Sequence, residues 1–317
     1  MKTTRPSYVP LYETGELNRR VSRFKAIMES CDLCPHECRV DRTRGCRGFC
    51  RAFDQAVVSD YGPHPGEEAP LLGEVGSGTI FFAHCTLRCV FCQNMDIAHG
   101  GRGRTVSDET LAEIMLDIER SGAPNVNLVT PTHFLPNILA ALKLAVSKGF
   151  RLPLCYNTSG YEKNKTIELL DGVIDIYLPD FKFTASRAAA RYIAGSPRDY
   201  PVHAKASIKT MHRQVGDLVT DDEGTAVSGL IVRHLIMPNR AAGTKEFVKW
   251  MAKELSKTTY LNLMGQYHPP FGQKTPADID RPITKKEYIE AFDWALEAGL
   301  TNLDRDAYDR YRRLKRR

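Results

Sequence analysis

The chain has 317 residues, of which 42% are hydrophobic and 26% charged, and carries a formal net charge of +6. This is an ordinary globular composition, and it excludes a disordered, collagen-like or small disulfide-stapled protein. The first residues, Met1 to Ser22, are polar and basic and lack the apolar stretch of a signal peptide, and no later run is long enough to span a membrane, so a cytoplasmic protein without membrane contact is expected.

In chain order, residues 1–30 read as a polar arm with one helical stretch. Residues 31–50 hold five cysteines among Arg and Gly and are too irregular for a helix or strand. Residues 51–78 carry turn signals and little periodicity. From residue 79 the pattern changes. Short runs rich in β-branched and aromatic residues, at 79–83, 125–130, 152–157, 173–178, 230–237 and 259–264, predict strands. Helical patterns near 107–121, 135–148, 161–170, 185–215 (broken at 195–201), 244–256 and 284–298 lie between and after them. Strand alternating with helix means parallel βαβ units with right-handed crossovers. Six such units predict an α/β fold, a partial (βα)6 barrel with an N-terminal cysteine-rich module. The division expected is 1–78 for the arm and metal-binding module, 79–304 for the barrel and 305–317 for a basic C-terminal tail. A basic tail can hold RNA or another anion, but runs of charge are usually solvated, and nucleic acid is not expected as a partner.

The nine cysteines fall in two clusters and one singleton, Cys155, which reads as a small buried hydrophobe. Tight clusters without a secretory signal favour metal ligation in a reducing compartment. Cys85, Cys89 and Cys92 form C-x3-C-x2-C directly after the first strand of the βα array. Three thiolates on one short loop can hold three irons of a [4Fe-4S] cube and leave the fourth iron open. The competing set is zinc on the same three thiols plus His84 or His99. The first cluster, Cys31-x2-Cys34-x3-Cys38-x7-Cys46-x3-Cys50, has one thiol more than a four-ligand site needs. Zinc and iron–sulfur are both open to it, with a structural role slightly favoured.

The C-x3-C-x-aromatic-C loop after the first strand resembles the radical S-adenosylmethionine (SAM) superfamily. The resemblance implies that the open iron chelates SAM and that an electron cleaves it to methionine and a 5′-deoxyadenosyl radical, which takes hydrogen from a substrate. It also implies that Phe91 lies against the adenine. The segments Gly66-Glu67-Glu68, Val129-Thr130-Pro131-Thr132-His133, Tyr156-Asn157-Thr158-Ser159-Gly160-Tyr161, Asp180-Phe181-Lys182 and Arg233-His234-Leu235, with Cys31-x2-Cys34-Pro35-x2-Cys38, are similar to a narrower group carried under the label pyruvate formate-lyase activating enzyme (PflX-like), over roughly residues 30–303. Within that pattern the first-cluster ligands are Cys31, Cys34, Cys38 and Cys50, and Cys46 is extra.

Polar residues gather where the strands end. Thr130 and Thr132 stand where activating enzymes carry Gly-Gly-Glu for the SAM amino group, a departure that also weakens the equation with glycyl-radical activation. Asn157 is a candidate for the SAM ribose or the substrate, or for a helix cap. By resemblance Lys182 approaches the SAM carboxylate, and Asp180, two residues away on the same side, orients it. Arg233 and His234 interrupt an apolar run, and one of them should face a cavity, because neighbours on a strand point opposite ways. Asn262, Gln266 and Tyr267 are weaker pocket candidates, and His133 reads equally as a packing residue. The expected partners are an electron donor such as flavodoxin or ferredoxin and a substrate that is a protein, an RNA or a small molecule. The reading from another class is a non-catalytic, metal-braced RNA-binding protein.

Overall fold

A computed structural model describes residues 5–272 and 274–316. Met1 to Thr4 of the arm and Arg317 of the basic tail therefore lie outside the described residues. Nine strands form one sheet: β1 (Ala56–His64), β2 (Ser77–Phe82), β3 (Arg104–Val106), β4 (Val126–Val129), β5 (Leu154–Thr158), β6 (Ile176–Pro179), β7 (Val219–Thr220), β8 (Ala226–Leu235) and β9 (Tyr260–Met264). The run β2-β4-β5-β6-β8-β9 is parallel throughout, which is the six-stranded partial barrel that the alternating pattern implies.

The parallel strands are short and rich in Val, Ile, Leu and Tyr, and they are buried on both faces, as strands covered by crossover helices must be. Alternate residues turn inward. Cys155, Ile176, Leu178, Ile231 and Tyr260 make a small inner core with Leu71, whose short helix (Ala69–Leu72) closes the barrel from the β1–β2 connection. Cys155 is fully buried there, as the sequence implies. The opposite faces meet the helix layer. The helix Asp108–Arg120 starts at Ser107, whose hydroxyl accepts from the Thr110 amide, and the helix Lys285–Glu297 starts with a Thr284–Glu287 capping box.

Three regions differ from the sequence reading. Residues 51–78 contain β1, which pairs antiparallel with β2 and, on its other side, with β3. Only the first three residues of β1 are buried, so no alternation persists along it to mark a strand. The polar arm is two packed helices, Tyr8–Glu13 and Glu16–Ile27, with Tyr8, Leu17 and Phe24 wholly buried. They cover the helix Leu135–Ser147, which is apolar nearly all round because it is buried on both sides. The helix expected over 161–170 is only Asn164–Glu168, because Tyr161 and Glu162 are committed to side-chain bonds before it. The basic C-terminal residues form a helix, Arg305–Lys315, whose Tyr311 is buried and stacked on Phe292. No helix among the described residues is long and apolar enough to cross a membrane.

Gly78 in β2 has no room for a side chain: an added Cβ would stand 2.1 Å from Ile118 Cγ2 and 2.4 Å from the Asn125 carbonyl oxygen. Forcing a methyl group against backbone at a sheet–helix contact costs about 1–3 kcal/mol. Gly78→Ala should lower the unfolding free energy measured in urea by that amount, and an unchanged value would show that this contact is slack.

Candidate active site

The loop after β2 carries Cys85, Cys89 and Cys92. Two non-glycine residues in it, His84 and Arg88, adopt left-handed backbone (φ 71° and 51°). Each immediately precedes a cysteine, and each turn curls the loop. The Leu87 amide donates to Cys85 Sγ at 3.3 Å, a contact that suits a metal-bound thiolate. Burial pushes the Cys89 thiol far up, with Cys85 and Cys92 adding to it, while the nearby Lys182 ammonium pulls it back. Burial and Cys85 likewise raise Cys92. The three thiols thus feel one another and one cation.

Among the described residues, no three His, Cys, Asp or Glu side chains are drawn together tightly enough to hold a single ion. Zinc needs its ligands to converge on one point, whereas in a [4Fe-4S] cube each thiolate takes a different iron. The donor set fits the cube.

The strand ends beside this loop hold a buried charge network. Arg233 of β8 faces inward. Its Nε donates to Asp180 Oδ1 at 2.8 Å and its Nη2 to Asn157 Oδ1 at 2.6 Å. Its Nη1 lies 3.5 Å from Glu67 and 3.8 Å from Glu68. Lys182 completes the group, its Nζ 2.7 Å from Asp180 Oδ2. Burial pushes Asp180 up, but Arg233 and Lys182 outweigh it and hold the carboxyl below its ordinary range. Burial disfavours the Lys182 charge, yet Asp180 and Cys89 together raise its pKa. Glu67 is pushed up by burial, with Arg233 only partly opposing. Asn262 of β9 donates to Glu68 Oε1 at 2.9 Å, and among the described residues Glu68 Oε2 has the Arg233 charge near it but no hydrogen-bond partner.

Asn157, Asp180, Lys182 and Arg233 are therefore brought together, with Lys182 near enough to Cys89 for the two charges to act on each other. His234 points the other way, bonded at Nδ1 to the Phe181 carbonyl and stacked on Phe247. Only Arg233 faces the interior, as strand alternation requires. Phe91 is buried against Phe183 and Tyr267. Thr130 ends β4 in left-handed backbone (φ 58°) and is half-buried. Thr132 is buried with its hydroxyl donated to Glu162 Oε1 at 2.6 Å, so that hydroxyl serves Glu162. His133 is buried and bonded to the Ala83 carbonyl at 2.8 Å, which makes it a packed residue joining β4 to the cysteine loop. Gln266 is exposed, and the Tyr267 hydroxyl donates to the Ile279 carbonyl.

Sequence reasoning missed the roles of Glu67, Glu68 and Glu162. Glu67-Glu68 follows a turn and has no periodic context, and the resemblance marks the segment without giving it a role. Glu162 is wholly buried and accepts from Thr132 and Thr158, and burial raises its carboxyl to about 7.

A family model described as the radical SAM superfamily matches residues 79–212. The chain is 32% identical over 294 residues to the uncharacterized protein MJ0674 of Methanocaldococcus jannaschii, across 90% of this chain and 79% of that one. Among solved structures it is similar to native anSMEcpe with bound AdoMet and the Kp18Cys peptide (10% identity, TM-score 0.50, 70% of this chain and 60% of that one). It also matches HydG, a maturase of the [FeFe]-hydrogenase (12%, 0.49, 90% and 56%), and methylornithine synthase, PylB (14%, 0.44, 90% and 76%). The chain spans about three-fifths of the anSMEcpe chain, and that likeness is one of fold.

Two outcomes follow from the charges. Removing the Arg233 cation leaves Asp180 and the two glutamates without their partner, and breaking such a buried pair costs about 3–5 kcal/mol. Arg233→Met should lose that much in urea unfolding, and a loss below about 1 kcal/mol would mean that water replaces the guanidinium. For Glu162, the folded value near 7 lies above the ordinary 4.5. Its stabilising contribution is complete below the unfolded value and is lost as pH rises through about 7, by about 3 kcal/mol in all. The difference in stability between the wild type and Glu162→Gln should therefore move in favour of Gln between pH 4.5 and 8. A flat difference would mean an ordinary carboxylate.

Proposed function

Because this chain belongs to the radical SAM superfamily, we propose that Cys85, Cys89 and Cys92 hold its [4Fe-4S] cluster and that the adjoining strand ends hold SAM. The observation that carries this reading is the placement of three thiols after the first parallel strand, with Lys182, itself braced by Asp180, near enough for its charge to act on Cys89. When bound and reduced, the cluster supplies the electron that splits SAM into methionine and the 5′-deoxyadenosyl radical, which takes hydrogen from the substrate.

The chain's own residues bind and orient. Ligating thiols must lose their protons. Burial opposes that at Cys89, and Lys182 offsets it. The Lys182 ammonium also offers donors to an anionic group such as the SAM carboxylate. Asp180 fixes the lysine, Arg233 fixes Asp180 and Asn157, and Phe91 closes one side with an aromatic face. Thr130 and Thr132 stand where activating enzymes carry a carboxylate, and the Thr132 hydroxyl is given to Glu162. This favours hydrogen abstraction from a peptide, RNA or small-molecule substrate, with activation of a glycyl-radical partner as the second reading. A flavodoxin- or ferredoxin-like donor fits the single-electron demand.

The test is anaerobic reconstitution with iron and sulfide, reduction, addition of SAM and measurement of 5′-deoxyadenosine. The wild type should form it and Cys89→Ala should not. Lys182→Met should keep the cluster spectrum but weaken SAM binding by about 10–100-fold, the usual loss for a hydrogen bond to a charged group. A reduced, fully loaded protein that binds no SAM would sink the assignment.

A further inference from the structure

The first cysteine cluster is not absorbed by the site above. The chain from Cys31 to Cys50 folds back on itself: the Cys31 amide donates to the Val40 carbonyl, and the Arg39 amide to the Cys31 carbonyl. The result is a small cavity walled by Cys31, Cys34, Cys38 and Cys50, with Arg42, Gly48 and His133. Cys46 is exposed and does not line it. Space beside Cys38 is so tight that a Cβ on Gly48 would meet Cys38 Sγ at 2.7 Å, and the Phe49 amide donates to that sulfur at 3.3 Å.

Two further groups in the wall lack an ordinary partner. Arg42 is 1% exposed. Its Nε and Nη2 donate to the Phe53 carbonyl, and its Nη1 stands 4.0 Å from Cys31 Sγ. Among the described residues it pairs with no carboxylate. A buried guanidinium without an anion is costly, so the cavity calls for negative charge. Four metal-bound thiolates would supply it, whereas four neutral thiols would not. His133, 2% exposed, spends Nε2 on the Ala83 carbonyl, and its Nδ1 has no partner. With the Nε2 proton donated, Nδ1 is a free lone pair on the cavity wall.

Four thiols around one cavity can hold zinc or a cluster. The buried cation beside them repeats the arrangement at the C-x3-C-x2-C loop, where Lys182 stands near Cys89, and that parallel favours a second cluster. We propose that Cys31, Cys34, Cys38 and Cys50 hold a second [4Fe-4S] cluster, that the Arg42 cation balances it, and that His133 abuts it. This reverses the structural zinc that the sequence slightly favoured. The inference goes beyond the SAM site and does not depend on it. The two sites are nonetheless neighbours. His36, two residues after Cys34, bonds through Nε2 to the Thr86 carbonyl at 2.7 Å, and His133, on the barrel side of the cavity wall, bonds to the Ala83 carbonyl, so both walls of the cavity touch the loop that carries Cys85.

The test uses the full chain with Cys85, Cys89 and Cys92 all changed to Ala, which leaves the N-terminal module untouched. After anaerobic reconstitution it should carry roughly four irons and four sulfides, against roughly eight of each in the wild type. On reduction it should show an electron-spin signal that SAM does not alter. Adding Cys34→Ala should remove the iron, and adding Cys46→Ala should not. One zinc without sulfide in the triple variant, or no metal at all, would overturn the proposal. So would loss of iron with Cys46→Ala, which would show a different ligand set. A wild type with roughly four irons that still turns over SAM would sink the second cluster alone. Roughly four irons in the triple variant, with no SAM turnover by the wild type, would sink the SAM reading alone.

Discussion

The inward charge of Arg233 is the constraint on which the barrel mouth depends. One guanidinium meets Asn157 of β5, Asp180 after β6 and Glu67 and Glu68 from the connection between β1 and β2. Those segments are far apart in sequence, and no apolar contact would fix their relative register so narrowly. Planar, multiply donating and permanently charged, arginine suits such a hub better than lysine does. The cost of burying it is met by three carboxylates, and the cost of burying those is shared with Lys182 and Asn262. Lys182, whose charge acts on Cys89 of the cysteine loop, is thereby held in place by a chain of ionic contacts rather than by packing.

The same economy recurs at the N-terminal module. It is attached to the barrel by polar contacts more than by a large apolar face. Lys163 reaches Asp32 and Glu37, both at 2.7 Å, and the Thr166 hydroxyl donates to the Leu33 carbonyl at 2.7 Å. His36 is stacked between Phe49 and the edge of Tyr161 while it holds Thr86. Because His36 ends on the Thr86 carbonyl, the shape of the cysteine loop is tied to the fold of the module. The metal centre proposed there would supply folding free energy to a region this irregular.

Much of this was legible in the sequence. The six parallel strands and the long helices follow from periodicity, because each buries a regular face. The C-x3-C-x2-C loop was legible because thiol chemistry fixes a spacing. The inward choice of Arg233 over His234 follows from strand alternation alone. What stayed hidden depended on distant partners. Glu67 and Glu68 look like surface acids until Arg233 is placed opposite them, and Glu162 looks like a helix-start residue until Thr132 and Thr158 close over it. Arg42 reads as one of several arginines in a basic stretch, since burial has no local signature. β1 was hidden because an edge strand solvated along most of its length has no alternation to detect.

Both cysteine sets share one electrostatic arrangement. Lys182 stands by Cys89, and Arg42 stands by Cys31 and Cys50. In each case the cation is buried and anchored by something other than the thiols: Asp180 for the lysine, the Phe53 carbonyl for the arginine. A cation so anchored favours ionised sulfur without competing for it, and it stays in position when the charge on the site changes. The anchors differ in a way that matters. Asp180 is shared between Lys182 and Arg233, so the lysine is aimed by its carboxylate and keeps charge to offer at the site proposed to be open. The Phe53 carbonyl cancels little of the Arg42 charge, so the arginine acts as a counter-ion within a closed one. That contrast fits the proposal of an open, ligand-binding centre beside a closed, fully protein-ligated one.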